Sequence, residues 1–170
     1  IIHNDKNGRE ILTLLSKKAE EGVKVRFLYD GFGSFLTPNK AFYNLKKSKN
    51  AKVAAFLPIN IFSYSLINHR NHRKIVVIDV KTAITGGFNI GDEYINEIEK
   101  HGRWKDAALM VQGEAVRSFT LMFLQMWNVD DRKTEDCRPY LTAHPVASTG
   151  VYTPYGSCPY DDDKLAEMVY

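Results

Sequence analysis

Apolar residues recur along this chain at helical and strand spacing in turn. Residues 8–21 place their apolar side chains on one broad face, opposite lysine and glutamate, which predicts an amphipathic helix. Residues 23–29 follow with alternating apolar positions and predict a strand. A short basic helix over residues 38–49, capped by Thr37, and a strand over residues 51–57 come next. The alternation predicts an α/β fold with helices on both faces of a mixed sheet.

The middle of the chain continues this pattern. Residues 75–78 are an uninterrupted β-branched run, which predicts a strand buried on both faces. A tight connection leads to a second strand over residues 83–85, beside the first, and a third strand is predicted over residues 104–111. Residues 113–128 carry methionine and aromatic residues at helical spacing, which predicts a helix packed on the core.

The chain divides into three segments of different character. Residues 1–128 carry the regular pattern and predict one globular domain. Residues 129–163 are rich in Asp, Thr, Pro, Gly and Tyr and predict a loop or linker. Residues 164–170 predict the start of an amphipathic helix that breaks off, and the chain opens without methionine. We therefore expect a piece of a longer protein.

Composition narrows the class of protein. The 170 residues are 44% hydrophobic and 25% charged, enough for a core and against disorder. A net charge of +3 favours anionic ligands only weakly and does not by itself indicate nucleic acid. Cys137 and Cys158 fit no metal spacing and are too few for a disulfide scaffold, which indicates a reducing setting but leaves a disulfide between them open.

The candidate chemistry begins just before the β-branched run. His72, Lys74 and Asp79 form the pattern H-x-K-x4-D. Side chains two apart on an extended chain point the same way, so His72 and Lys74 can meet one ligand. An imidazole can attack phosphorus or carry a proton, and an ammonium neutralises phosphate oxygens. The pair predicts a phosphate site at the mouth of a strand.

A second segment is expected to converge on the same place. Gly86 and Gly87 follow the second strand and let the backbone approach an anion, and Asn89 offers an amide donor. His69 and His72 stand three apart, but no carboxylate or cysteine cluster accompanies them, so no metal or other cofactor is expected.

Three further stretches admit two interpretations each. Residues 30–34 follow a strand and are either a ligand loop or an ordinary turn. The lysines of residues 46–49 are either a solvated helix end or a patch that favours anionic lipid. Residues 59–67 are aromatic and apolar, and either pack in the core or line a cleft for a lipid headgroup or acyl chain.

The segment around His72 resembles the HKD motif of the phospholipase D superfamily. The strings NHRK-IVVID and GGFNIGDEY are similar to bacterial cardiolipin synthases, whereas nucleases of the superfamily more often carry G-S-x-N. Residues 8–34 and 103–127 also resemble the parts that flank the motif in the same half-domain. The resemblance covers most of residues 1–160.

This resemblance implies metal-independent phosphatidyl transfer. A histidine attacks the phosphodiester of one phosphatidylglycerol, glycerol leaves, and the phosphohistidine is resolved by the hydroxyl of a second phosphatidylglycerol to give cardiolipin. His72 would be one of two such histidines, with the nucleophile as the preferred role. Asp79 would organise the motif through salt bridges, and Asp106 would hold the imidazole in the required tautomer.

The resemblance also implies partners and a location. We expect phosphatidylglycerol and an anionic membrane surface as partners, at the inner membrane of a bacterium with the catalytic domain in the cytoplasm. The second HKD motif would come from another part of the full-length chain or from a homodimer, and the chain alone is expected to be inactive unless two copies pair. Alternatives are a homodimeric, single-motif phosphodiesterase or nuclease and a degenerate lipid-binding half. No nucleic acid is expected, because the charge is mild.

Overall fold

The computed structural model describes residues 1–58, 70–130, 136–142, 144–147 and 150–156. The helices are α1 (Lys6–Glu20), α2 (Tyr43–Lys47) and α3 (Val116–Asp130), and the strands are β1 (Val25–Asp30), β2 (Ala51–Phe56), β3 (Ile75–Ile78), β4 (Thr82–Gly86) and β5 (Ala108–Gln112). Short 3-10 helices cover Asn39–Phe42, Asp92–Ile95 and Arg138–Tyr140.

The first half of the chain is a helix followed by two parallel strands. Asp5 caps α1, since its carboxylate accepts a hydrogen bond from the Gly8 amide at 2.9 Å. β1 and β2 pair in parallel, with Val25 opposite Ala51. The expected cap at Thr37 is wrong, because the helical segment begins as a 3-10 turn whose N-cap position is Pro38 and which has no side-chain cap. The Thr37 hydroxyl instead donates to the Ile2 carbonyl at 2.8 Å.

The second half builds a three-stranded antiparallel sheet in the order β3-β4-β5. A tight turn joins β3 to β4, with Asp79 and Val80 both at positive φ, 51° and 58°, and the Lys81 amide donating to the Ile78 carbonyl. The prediction that β3 is buried on both faces is wrong. Val76 and Ile78 are 53% and 49% exposed, since α3 packs on the opposite face only.

Two clusters of buried side chains hold the fold together. Each joins a sheet to the helices packed on it. Their buried members are Ile2, Leu12, Phe42 and Leu45 beside β1 and β2, and Ala83, Val111, Val116 and Phe119 beside β4 and β5. α3 contacts β2, β3 and β4 and so links the two halves. The α/β class with parallel and antiparallel pairing is confirmed, with the described strands hydrogen-bonded as two sheets rather than one.

The segment after α3 contributes a short element. Tyr140 of the last 3-10 helix lies against Arg26 of β1, whose guanidinium stands 5.1 Å from the ring centroid. The predicted helix of residues 164–170, the apolar segment 59–67 and Cys158 lie outside the described residues. No helix in the described ranges is long and apolar enough to cross a membrane.

Candidate active site

Three strand ends meet where the HxK pair lies. The antiparallel register sets Ile75 of β3 opposite Thr85 and Gly86 of β4 opposite Ala108. The residues just before β3, just after β4 and just before β5 therefore share one end of the sheet. This register brings together the two segments whose convergence the sequence predicts.

His72 and Lys74 are in direct contact at this end of the sheet. Lys74 Nζ lies 2.7 Å from His72 Nε2 and donates a second hydrogen bond to the His72 carbonyl at 2.8 Å. An ammonium has three donors and no acceptor, so the ring nitrogen that faces it must accept. The contact therefore favours the tautomer in which Nδ1 carries the proton and Nε2 carries the lone pair.

The surroundings of His72 keep its imidazole neutral. Desolvation lowers the pKa of His72 below its usual value, and the positive charge of Lys74 lowers it further, while Asp30 opposes the shift. Near neutral pH these effects favour the neutral imidazole over the imidazolium. A neutral imidazole with its lone pair on Nε2 is the form that can attack an electrophile.

Asp106 lies against the glycine pair, and its charge interacts with that of Lys74. Its carboxylate accepts hydrogen bonds from the Trp104 indole at 3.0 Å and the Ala107 amide at 2.7 Å, and these bonds lower the pKa of Asp106, with help from the Gly87 amide and the charge of Lys74. No hydrogen bond to His72 is among its contacts within the described residues, and the expected imidazole orienter instead acts on the site through the interaction of its charge with that of Lys74. Desolvation lowers the pKa of Lys74, and Asp106 counters this.

The glycine pair makes room for this carboxylate. A Cβ at Gly87 would lie 2.6 Å from Asp106 Oδ1, and one at Gly86 would lie 3.0 Å from the Ala107 carbonyl. The distance at Gly87 is shorter than a real side chain tolerates, and the distance at Gly86 would require the neighbouring backbone to shift by a few tenths of an ångström. The two glycines therefore let β4 approach the Asp106 segment closely.

Asn89 belongs to a buried network behind the glycines. Its amide nitrogen donates to the Tyr94 hydroxyl at 2.6 Å, and its Oδ1 has no partner among the described residues although the side chain is buried. The Tyr94 ring packs edge-on against Trp104, 4.7 Å between centroids. Since Trp104 holds Asp106, the network ties the loop after β4 to the carboxylate beside Lys74.

The remaining residues of the G-D-E-Y string anchor this loop to the start of the chain. Asp92 accepts hydrogen bonds from the Asn7 and Lys6 amides at 2.7 and 3.3 Å, and Asp5 in turn accepts from the Asp92 amide at 2.7 Å. Each carboxylate satisfies backbone donors at the beginning of the other residue's helix. This reciprocal capping fixes the loop that carries Asn89.

Asp30 is a site residue that the sequence did not single out. The residue is 5% exposed, and its carboxylate accepts hydrogen bonds from the Gly33, Phe32 and Asn71 amides at 2.6, 3.1 and 3.1 Å. Arg70 lies 3.7 Å away and donates to the Leu57 carbonyl at 3.0 Å. Asp30 therefore holds the backbone immediately before His72 against the end of β1. The only indication in the sequence was its place at the carboxyl end of a strand.

Comparisons with known proteins decide the family. A family model described as the PLD-like domain of cardiolipin synthase matches residues 2–127. The chain belongs to this family. Cardiolipin synthases of Halalkalibacterium halodurans and Staphylococcus aureus are 44% and 45% identical over 128 and 129 residues, each match covering 75% of this chain and about a quarter of the relative. An uncharacterised protein of Streptococcus mutans is 45% identical over 95% of this chain and 35% of its own. The chain thus spans a quarter to a third of the curated relatives it matches.

The third member of the HKD motif lies apart from the other two. Asp79 stands in the turn at the far end of β3, five residues beyond Lys74, which is roughly 15 Å along an extended strand. The salt bridges expected of it are absent from the described part of the chain. Its positive φ of 51° suits aspartate, which tolerates the left-handed region better than most residues.

The PLD-like site combines a nucleophilic nitrogen with a neighbouring positive charge. No group of three or more His, Cys, Asp or Glu side chains capable of holding a metal occurs in the described ranges. His72 supplies a lone pair and Lys74 supplies positive charge beside it. This arrangement can attack a phosphodiester and stabilise the charge that develops on its oxygens.

Proposed function

We propose that this chain supplies one half of a cardiolipin synthase-type phosphatidyltransferase site, with His72 as the nucleophile. The observation that carries the proposal is the 2.7 Å contact between Lys74 Nζ and His72 Nε2. Several relatives are named cardiolipin synthase, and this name supports phosphatidylglycerol as the substrate. The site would act on lipids at the surface of an anionic bacterial membrane.

The first step transfers a phosphatidyl group to the histidine. The Nε2 lone pair attacks the phosphorus of phosphatidylglycerol, a P–N bond forms, and the bond from phosphorus to the glycerol oxygen breaks. The departing oxygen takes a proton from a general acid and leaves as glycerol. His72, with its proton held on Nδ1, carries the positive charge of the phosphohistidine.

The second step releases cardiolipin. A hydroxyl of a second phosphatidylglycerol attacks the phosphorus and gives its proton to the group that acted as the acid. The P–N bond breaks, and its electron pair returns to Nε2. The two steps together convert two phosphatidylglycerols into cardiolipin and glycerol with no net change in the protein.

Lys74 stabilises the charge on phosphorus in both steps. Two of its three N–H groups bond to the ring and carbonyl of His72, which leaves one for a non-bridging phosphate oxygen. When Nε2 bonds to phosphorus, the N–H that faced it becomes available to the same phosphoryl group. Asp106 holds the ammonium in its charged form, because its carboxylate raises the pKa that desolvation lowers.

The general acid would come from a second HKD histidine. None of the described residues places a second histidine beside His72 and Lys74, and the family relatives are about three times as long as this chain. A second copy of the chain about a twofold axis would supply an equivalent His72. Both arrangements give two histidines on opposite sides of the phosphorus.

Turnover of phosphatidylglycerol measures this function directly. Cardiolipin formation is followed by mass spectrometry over a wide range of protein concentration, with His72→Ala as the test variant and the exposed His101→Ala as the matched control. Pairing of two copies predicts a rate that rises with the square of concentration and disappears in His72→Ala alone. Equal turnover by His72→Ala would sink the proposal, whereas silence of the folded chain at every concentration would assign the acid to another polypeptide segment.

A further inference from the structure

The loop after β1 carries its polar residues inside and its apolar residues outside. Ser34 and Thr37 are buried, and their hydroxyls bond to the backbone of Ile2 at 3.1 and 2.8 Å. Between them, Phe35 and Leu36 are 67% and 87% exposed. Because hydrogen bonds hold Ser34 and Thr37 against the backbone of Ile2, the fold leaves the two apolar side chains between them exposed to solvent.

The chain around this loop has an unusual distribution of charge. Residues 31–78 contain eight of the 23 basic residues and none of the 20 acidic residues, which leaves 15 basic against 20 acidic elsewhere. The net charge of +3 is therefore the sum of a strongly positive segment, residues 31–78, and a remainder of the chain that is negative. Such a segment attracts an anionic surface.

The helical turns that follow the loop present part of this charge to solvent. Lys40, Lys46 and Lys47 are exposed, and none of them forms an ion pair with a described carboxylate. Tyr43 is 57% exposed, with Lys47 Nζ 5.0 Å from its ring centroid. Lysines beside exposed aromatic and aliphatic side chains are typical of the interfacial zone of a membrane.

The same loop reaches the active site. Phe32, itself half exposed, lies under the Arg70 guanidinium at 5.8 Å, and Arg70 stands beside Asp30, which holds the backbone before His72. A bilayer that received Phe35 and Leu36 would thus lie next to the residues that position the nucleophile. A phospholipid substrate would travel only a short distance from it.

We propose that residues 31–47 dock the protein on an anionic lipid bilayer, with Phe35 and Leu36 inserted at the interface and Lys40, Lys46 and Lys47 on the headgroups. This inference rests on the proposed function for the identity of the anionic partner. A nucleic acid would satisfy the lysines but would leave the aliphatic Leu36, which cannot stack on bases, exposed. The exposed Phe35 and Leu36 therefore favour a bilayer over a nucleic acid as the partner.

Vesicle binding tests the docking surface without any turnover. Co-sedimentation is measured with vesicles of phosphatidylcholine and of an equal mixture of phosphatidylcholine and phosphatidylglycerol. The chain should prefer the mixed vesicles, and Phe35→Ser/Leu36→Ser should lower its partition coefficient about tenfold or more, from the lost burial of two apolar side chains. Lys46→Glu/Lys47→Glu should lower it by a similar factor. Leu36→Gln alone, a milder change, should lower it about threefold.

Matched control variants show whether the loss of vesicle binding is specific to residues 31–47 or follows from removing any exposed apolar side chain or any two positive charges. Met110→Ser removes a side chain that is 66% exposed on β5, and Lys24→Glu/Lys81→Glu reverses two lysines elsewhere; both should bind as the unchanged chain does. His72→Ala should also bind normally, so a failure of catalysis leaves this inference standing. Equal binding to both vesicle types, equal losses in the controls, or binding to DNA that competes with vesicles and survives the Phe35/Leu36 change would overturn it.

Discussion

Lys74 Nζ lies 2.7 Å from His72 Nε2, so the charge that would stabilise a phosphoryl group stands beside the atom that would attack it. The pair needs only the extended backbone between residues 72 and 74 and the strand that follows. Each of the other site residues acts on this pair through the backbone or through charge.

Replacing Lys74 should slow phosphatidyl transfer far more than it affects folding. Lys74→Ala removes the donor to the phosphate oxygens and should lower the rate roughly a hundredfold to a thousandfold. Lys81→Ala, in the turn at the other end of β3, is the control and should leave the rate unchanged. A Lys74→Ala rate within twofold of the unchanged chain would remove this residue from the mechanism.

Asp106 should control the pH at which Lys74 loses its charge. The carboxylate raises the pKa of Lys74 against desolvation, so Asp106→Asn should lower that pKa and move the alkaline limb of the pH–rate profile to lower pH. The rate at neutral pH should fall less than in Lys74→Ala. Asp136→Asn, an exposed change near Arg138, serves as control. An alkaline limb that stays in place would show that Asp106 does not act through Lys74.

Asp30 should stabilise the fold and position the nucleophile. Asp30→Ala removes the acceptor of three backbone amides and the partner of Arg70, and should lower the free energy of unfolding by roughly 2–3 kcal/mol. Asp30→Asn keeps one acceptor oxygen and should lose less. Urea denaturation measures both, and equal midpoints for all three proteins would contradict the role assigned to Asp30.

Asp79 should matter for the turn rather than for the reaction. Asn tolerates positive φ, so Asp79→Asn should keep both stability and phosphatidyl transfer. Asp79→Val places a β-branched residue at φ 51° and should cost about 1–2 kcal/mol of folding stability. Loss of transfer in a stable Asp79→Asn protein would instead assign this carboxylate a direct part in the site.

The local part of this site could be predicted from the sequence, and the long-range part could not. His72 and Lys74 meet because side chains two apart on an extended chain share a face, which is a property of spacing alone. Asp30 reaches Asn71 across 41 residues, and no periodicity encodes that contact. Asp106 was expected from the family resemblance as the partner of the imidazole, yet Trp104 and Gly87 hold it where its charge acts on Lys74, a geometry that depends on the β4–β5 register.

The fold shows the same division. Helix α1 and strands β1 and β2 could be predicted to within a few residues, because their apolar positions have a clear period. The exposure of Val76 and Ile78 could not, since a run of β-branched residues has no period to distinguish one covered face from two. The cap at Thr37 failed because the helical segment begins one residue later, with Pro38 at its N-cap position, while Thr37 bonds to the backbone of Ile2, which is distant in sequence.

The nucleophilic role of His72 is tested most directly by a covalent burst that needs no general acid. The substrate is the p-nitrophenyl ester of phosphatidic acid in mixed micelles, whose leaving group departs without a proton donor. We expect a rapid release of about one p-nitrophenolate per chain and a matching mass increase of one phosphatidyl group after alkaline quench. His72→Ala should show neither, while His101→Ala should behave as the unchanged chain does. A folded chain that gives no burst, or a burst that survives His72→Ala, would contradict this role.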